Sequence, residues 1–304
     1  MVAALIIAAG KNAHSNYFEP HRIVGSIPAI RRIVMVFQRA GIERVVVVCH
    51  KDGDQVEKLA SYMNVTFLHS GGEADMLDNV KIGLDYLLDK CDEVIVTHTD
   101  VPLFSVETVQ ALIAAAGSAR IPVYHGSGGH PILLHASLFQ GILSYSGEGG
   151  LSGAMKASGV QPHLIDVEDE GVLINMRDQD GDMCLPSGHS LQGVHPAIRI
   201  RLYKEKAFYG PGAHQLLQLT DETGSVREAC RCMGMSYNKG RGIISAMEQQ
   251  LGYPVINSQQ GGKTGGSSVV NEKGQELMRN YAAYSADAKR CLLELFEKHF
   301  GANA

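Results

Sequence analysis

Val94-Ile95-Val96-Thr97-His98-Thr99-Asp100-Val101-Pro102-Leu103-Phe104 is a short apolar run that closes on a carboxylate and a turn. The run shows no alternation of polar and apolar residues, as expected of a strand covered on both faces. Asp-Val-Pro is natural turn chemistry, so the chain reverses at the strand's carboxyl end. The same rhythm recurs upstream. Strand-like runs at 2–9, 45–49, 65–69 and 93–98 alternate with helical stretches at 27–40, 56–63, 76–89 and from about 105 to 116. In the first of these helices Ile30, Ile33, Val34 and Phe37 recur at helical spacing. A β-α-β-α order with buried strands predicts a Rossmann-like, doubly wound α/β fold, its parallel sheet flanked by helices on both faces. Downstream, 121–125, 132–134, 163–167 and 171–176 read as further strands, and 136–144 as a helix.

Size and charge frame this core. At 304 residues the chain is long enough for two domains, with boundaries expected at 1–185 and 196–304 around the Pro/Gly-containing stretch 183–188. Apolar residues make up 45%, which excludes a disordered chain. No stretch approaches the ~18 uncharged apolar residues of a membrane span. The apolar start lacks a basic flank and reads as a first strand, not a secretory leader. Six cysteines are scattered without framework spacing, which predicts free thiols in a cytoplasmic setting and no membrane association. Charge is uneven. Residues 1–195 sum to -9 and residues 196–304 to +4, within a total of -5. A basic tail region raises the expectation of a polyanionic partner at that end.

Ligand chemistry in doubly wound sheets sits at the carboxyl ends of strands. Leu5-Ile6-Ile7-Ala8-Ala9-Gly10 ends in small residues, so backbone N–H groups at Ala8, Ala9 and Gly10 are candidates for phosphate contact. Asp100 is the candidate Mg²⁺ ligand, the alternative being a turn or cap carboxylate.

These elements, with Gly129-His130-Pro131-Ile132-Leu133 and Gly149-Gly150-Leu151 followed by Gly153-Ala154, resemble the MobA/MocA-type nucleotidyltransferases of molybdenum cofactor synthesis over residues 1 to about 183. The resemblance implies transfer of a nucleotide from CTP or GTP to a pterin, Asp100 as ligand of the cofactor Mg²⁺, and Gly129, His130 and Pro131 at the substrate. It also exposes departures. Where the family carries an Arg and a Lys in its glycine loop, this chain has His14 and Glu19, with Lys11 and Arg22 out of register as substitutes. The second acidic motif falls on Asn175-Met176-Arg177-Asp178, which leaves only Asp178 as a weak second metal ligand. Phosphoryl-type transfer depends on positioned charge, so these losses predict weakened activity. No catalytic residue is assigned.

The tail reads differently. A strand at 197–203 precedes helices at 213–220, 225–233 and 236–251; a hairpin with a Gly-rich tip spans 255–270, and 271–300 is one long helix. Helix, three-residue turn, helix and hairpin is the plan of a winged helix-turn-helix, whose second motif helix enters the major groove. Gly240, Ile244, Met247 and Leu251 form the apolar face of that helix. Ser236, Tyr237, Asn238, Lys239 and Arg241 lie mostly away from it as candidate DNA contacts, with Lys263 on the wing and a solvated polar face as the alternative. Phe208-Tyr209-Gly210-Pro211-Gly212, Asp221-Glu222-Thr223-Gly224-Ser225, Leu251-Gly252-Tyr253-Pro254-Val255 and the Gly-Gly-Lys-Thr-Gly-Gly wing resemble the DNA-binding domain of the molybdate-responsive regulator ModE, related to LysR-type domains. The resemblance implies a double-stranded DNA partner and a homodimer through 271–300; packing of that helix on its own domain is the alternative. Cys230 and Cys232 lie ~200° apart around a helix and are not expected to share a metal.

Two functions are therefore in play. One is a cytoplasmic transcription regulator whose nucleotidyltransferase-like domain senses a nucleotide or molybdopterin or retains weak activity. The other is an active cytidylyl- or guanylyltransferase that uses the winged helix for assembly.

Overall fold

The computed structural model describes residues 1–9, 22–50, 54–71, 74–176, 189, 191, 193–259 and 267–301. They divide into two compact units, 1–190 and 191–304.

The first unit opens with β1 (Val2–Ala8), the short pair β2 (Ile23–Val24) and β3 (Ile27–Pro28), and α1 (Ala29–Arg39). Then come β4 (Arg44–His50), α2 (Asp54–Ala60), β5 (Val65–Ser70), α3 (Met76–Leu87), β6 (Glu93–His98) and α4 (Val106–Ala114). It closes with β7 (Ala119–Tyr124), β8 (Ser127–Gly128), β9 (Ile132–His135), α5 (Phe139–Ser144), α6 (Gly150–Ala157) and β10 (His163–Asp166). The sheet order is β10-β7-β9-β6-β1-β4-β5, with β8 paired to β7. Leu5, Ile6, Val46, Val47 and Ile95 are wholly buried, so the central strands are sealed on both faces as the unalternating runs require.

Three expectations need correction. The sheet is mixed, because β9 runs antiparallel to both β6 and β7. The link from β7 to β9 is too short for the dozen or more residues of a crossover, so the chain must return antiparallel. Residues 171–176 form no strand. A 3-10 turn spans Glu170–Val172, and the backbone then serves two different elements: Val172 O accepts from His130 N, and Met176 N donates to Asp100 O. The helix α6 at Gly150–Ala157 was not anticipated, its glycines being poor helix formers.

The second unit contains β11 (Leu202–Tyr203), β12 (Ala207–Tyr209), α7 (Pro211–Thr223), α8 (Val226–Cys232), α9 (Tyr237–Leu251), the hairpin β13 (Ile256–Gln259) with β14 (Ser267–Val270), and α10 (Glu272–Phe300). The strand expected at 197–203 shortens to Leu202–Tyr203, because its partner β12 offers only three residues. Side-chain caps define the helix starts: Ser225 accepts from Glu228 N, Ser236 from Lys239 N and Asn271 from Gly274 N. Each such cap contributes about 1 kcal/mol. Gly224 ends α7 at φ +66°, and its carbonyl accepts from Ser268 N of β14 at 2.8 Å, which ties the hairpin to the α7–α8 turn. Glu248 Oε1 accepts from Val255 N at 2.9 Å and fastens the hairpin's entry to α9. Gly240 permits close packing, since a Cβ there would lie 2.2 Å from Cys230 Sγ. Cys230 and Cys232 are both buried core thiols. No helix among the described residues is long and apolar enough to cross a membrane.

Candidate functional site

The carboxyl ends of β1 and β6 converge on one turn. Thr99 donates to Ile7 O through its backbone N at 3.1 Å and through Oγ1 at 3.3 Å, locking the Asp100 turn against the end of β1. Asp100 is 1% exposed. Its Oδ2 lies 3.4 Å from His98 Nδ1, from the last residue of β6. The His98 ring meets the His130 ring edge to face at 4.6 Å between centroids. Burial pushes the His130 imidazole down to about 4, and the neighbouring His98 adds to this; Asp100 and the Val96 backbone pull the other way without prevailing. His130 is therefore neutral at pH 7 and can exchange hydrogen bonds with a ligand without adding charge.

Gly129 and His130 are held by backbone pairing. Gly129 N donates to Pro122 O at 2.8 Å and His130 N to Val172 O at 2.9 Å. A Cβ at 129 would stand 2.3 Å from Val172 O, so only glycine permits the approach. Pro131 follows through a cis peptide bond.

Beneath this site lies a buried polar cluster. Asp169 Oδ2 accepts from Ser105 N at 2.8 Å and Thr108 Oγ1 at 2.5 Å, while Oδ1 accepts from Gly171 N at 2.9 Å and pairs with His189 Nε2 at 2.6 Å. Burial alone would raise the Asp169 carboxyl, but the hydrogen bonds from Thr108, His189 and Ser105 outweigh it and hold it below the usual range. Arg32, 2% exposed, donates to Pro102 O and His189 O. Burial lowers its guanidinium to about 10, partly countered by Asp169, so it stays protonated at neutral pH. The cluster staples the chain around 169 and 189 to the 100–108 turn that carries Asp100.

The other expected ligand residues are placed as follows. Ala8 ends β1 in register with Cys49. Ala9 O accepts from the buried Asn79 Nδ2 at 3.3 Å. Arg22, expected as a triphosphate cation, donates to Met176 O at 2.5 Å, and Met176 N donates to Asp100 O. Arg22 and Asp100 are thus joined through one residue, and this bond spends part of the guanidinium's capacity on a carbonyl. Gly10, Lys11 and Asp178 lie outside the described residues. His98 and Asn79 were not anticipated. His98 was legible in principle, because a residue two before Asp100 at a strand exit shares its side of the strand. Nothing in the pattern around Asn79 marks it. A cleft of about 650 Å³ lined by Met1, Lys90, Cys91, Asp92 and Phe139 opens at the opposite, amino ends of the strands and includes none of the expected site residues.

Residues 4–163, just over half of the chain, match the family described as MobA-like NTP transferase domain. The chain belongs to this family. The MobA-like domain shares its fold with a nucleotidyl transferase from Methanothermobacter thermautotroptrophicus, at 19% identity and TM-score 0.50 over 58% of this chain and 91% of that one. It is also similar to Rv0371C of Mycobacterium tuberculosis H37Rv in complex with manganese, at 14% identity and TM-score 0.47 over 55% and 88%. A stretch of 83 residues is 37% identical to the molybdenum-pterin-binding protein MopB of Rhodobacter capsulatus. That match covers 27% of this chain and only 30% of the relative's length.

Outside the MobA-like domain, α9 carries the second candidate site. Gly240, Ile244 and Met247 are buried, and Ser236, Tyr237, Asn238, Lys239 and Arg241 are exposed, which is the division that the spacing predicts. The Ser236 hydroxyl accepts from Lys239 N and so serves as a cap. Arg227 stacks over the Tyr237 ring at 5.0 Å. Lys263 lies outside the described residues.

Proposed function

We propose that this protein is a DNA-binding regulator tied to molybdenum or molybdopterin metabolism, in which the MobA-like domain serves as the ligand sensor. The observation that carries this reading is the surface of α9. Its amino-terminal half exposes amide, ammonium, guanidinium and phenol groups to solvent, backed by a seam so close that a Cβ at position 240 would lie 2.2 Å from Cys230 Sγ. Such a helix, following a short turn and followed by a hairpin, suits insertion into a major groove. From its middle onward, α10 leaves Tyr284, Leu293, Leu295 and Phe300 exposed. This supports a two-fold dimer that would set two reading helices ~34 Å apart.

The ligand side rests on Asp100. Mg²⁺ takes oxygen donors and is often held by one or two carboxylates together with phosphate oxygens, so Asp100 suits it by donor chemistry and by its place at a strand end. In this conformation the carboxylate is covered, with His98 Nδ1 3.4 Å from its Oδ2. Asn175 stands where a family member would offer a second acid, which favours binding over fast turnover. The partial identity to a molybdenum-pterin-binding protein supports a molybdenum-linked ligand.

The test measures duplex DNA affinity at two salt concentrations, with and without each NTP, Mg²⁺ and molybdopterin, beside pyrophosphate release. Ligand-dependent DNA binding without steady turnover is expected. Steady pyrophosphate release abolished by Asp100→Asn, with no duplex binding, would make the protein a transferase instead.

A further inference from the structure

A cluster of side chains with metal-ligand chemistry lies on the far side of β1 from Asp100. Cys49 and His69 are register partners on the adjacent parallel strands β4 and β5. Register partners direct their side chains to the same face of a sheet. The helix α2, which follows β4, brings Glu57 over that face, where His69 Nε2 and Glu57 Oε1 meet at 2.6 Å. One ligand atom from each of Cys49, Glu57 and His69 lies within 4.8 Å of the other two. Cys49 is wholly buried, while His69 and Glu57 are partly exposed.

The geometry points to a transition-metal site of the zinc class formed by Cys49 Sγ, Glu57 carboxylate and His69 Nε2. Tetrahedral zinc at about 2.0–2.3 Å from each donor sets the donors roughly 3.2–3.8 Å apart. The observed spread needs only ~1 Å of adjustment, with the His69–Glu57 hydrogen bond opening to admit the ion. Binding releases the Cys49 thiol proton to solvent, and His69 coordinates as the neutral Nδ1–H tautomer. Three protein ligands leave a fourth position for water or a small ligand, as in exchangeable zinc sites. Sulfur and imidazole favour zinc, cobalt or copper over magnesium, so this site is chemically distinct from the thiol-free, carboxylate-centred position at Asp100. The strand order β6-β1-β4-β5 separates the two by two to three strand spacings, on the order of 12 Å. Ala8, at the end of β1, is the register partner of Cys49, so an occupied site would border the strand leading into the phosphate loop.

The test uses the full, tag-free chain, stripped of metal and kept reduced, and titrated with Co²⁺ and then Zn²⁺. One equivalent of Co²⁺ should give visible tetrahedral bands and a thiolate-to-cobalt charge-transfer band, which Zn²⁺ displaces and excess Mg²⁺ does not. Cys49→Ser should abolish the charge-transfer band. Glu57→Gln and His69→Gln should each weaken zinc affinity tenfold or more, and Asp100→Asn should leave it unchanged. Circular dichroism of Glu57→Gln, on a partly exposed helix position, checks that the fold persists. Absence of the band, its survival in Cys49→Ser, its loss in Asp100→Asn, or unchanged zinc affinity in both Glu57→Gln and His69→Gln would overturn the assignment.

Discussion

Replacing Asp169 by Asn probes the cluster that holds the Asp100 turn. Oδ2 serves Ser105 N and Thr108 Oγ1, and Oδ1 serves Gly171 N and His189 Nε2. Whichever way the new amide faces, its NH₂ confronts one of these pairs. Thr108 can rotate its hydroxyl, and His189 can present a lone pair, to accept from it. The backbone N–H of Ser105 or Gly171 cannot, so one buried donor is orphaned at a cost of about 1–3 kcal/mol. Loss of the charge weakens the remaining bonds, which are roughly twice as strong to an ionised acceptor. Together these give about 3 kcal/mol of destabilisation in the first unit. The chain has no tryptophan, so urea unfolding is best followed by circular dichroism, with hydrogen exchange of the 100–108 backbone as the local readout. Protection there should drop most. The effect should also depend on pH. The folded carboxyl lies below its unfolded value, so its contribution is complete above about 4 and disappears as pH falls through the folded value. A loss below 1 kcal/mol at pH 7, or a gap between wild type and variant that does not shrink in acid, would refute this account.

Other outcomes are equally specific. In an NMR titration the His130 ring should stay neutral until about pH 4, and Asp100→Asn should lower its midpoint further, because the carboxylate favours the imidazolium. Lys239→Ala and Arg241→Ala should each weaken duplex binding by about 1–3 kcal/mol if their side chains reach bases, or reduce the salt slope if they reach phosphates; unchanged affinity in both would remove α9 from the reading role. Gly240→Ala should lower stability by about 1–2 kcal/mol, because overpacking against Cys230 exceeds the helix-propensity gain. Adding Cys230→Ala should recover most of that loss, as measured by a double-mutant cycle in urea.

Much of the architecture is carried by local pattern. The short, unalternating, largely β-branched runs around Leu5, Val46 and Ile95 read as strands sealed on both faces, and these residues are wholly buried. The 3.6-residue spacing of Gly240, Ile244 and Met247 marked the inner face of α9, because helical periodicity depends on nothing outside the helix. The caps at Ser225 and Ser236 are local in the same sense, each bonding a backbone N–H three residues on. What sequence spacing does not carry is the pairing of segments far apart in the chain. The stretch 171–176 looks like a strand from composition, yet its backbone is claimed by His130 and Asp100, so no sheet partner remains for it. Arg22 reads as a phosphate cation from the sequence, which does not show that one of its N–H groups is given to Met176 O. The meeting of His98 with His130, of Asp169 with Ser105 and His189, and of Cys49 with Glu57 and His69 depends on strand order and on which helix crosses which face. The amino-acid sequence alone determined most of the elements and their buried faces, since those follow from short-range periodicity. The tertiary structure decided the chemistry, because a site is a set of distances between residues that the chain itself holds far apart.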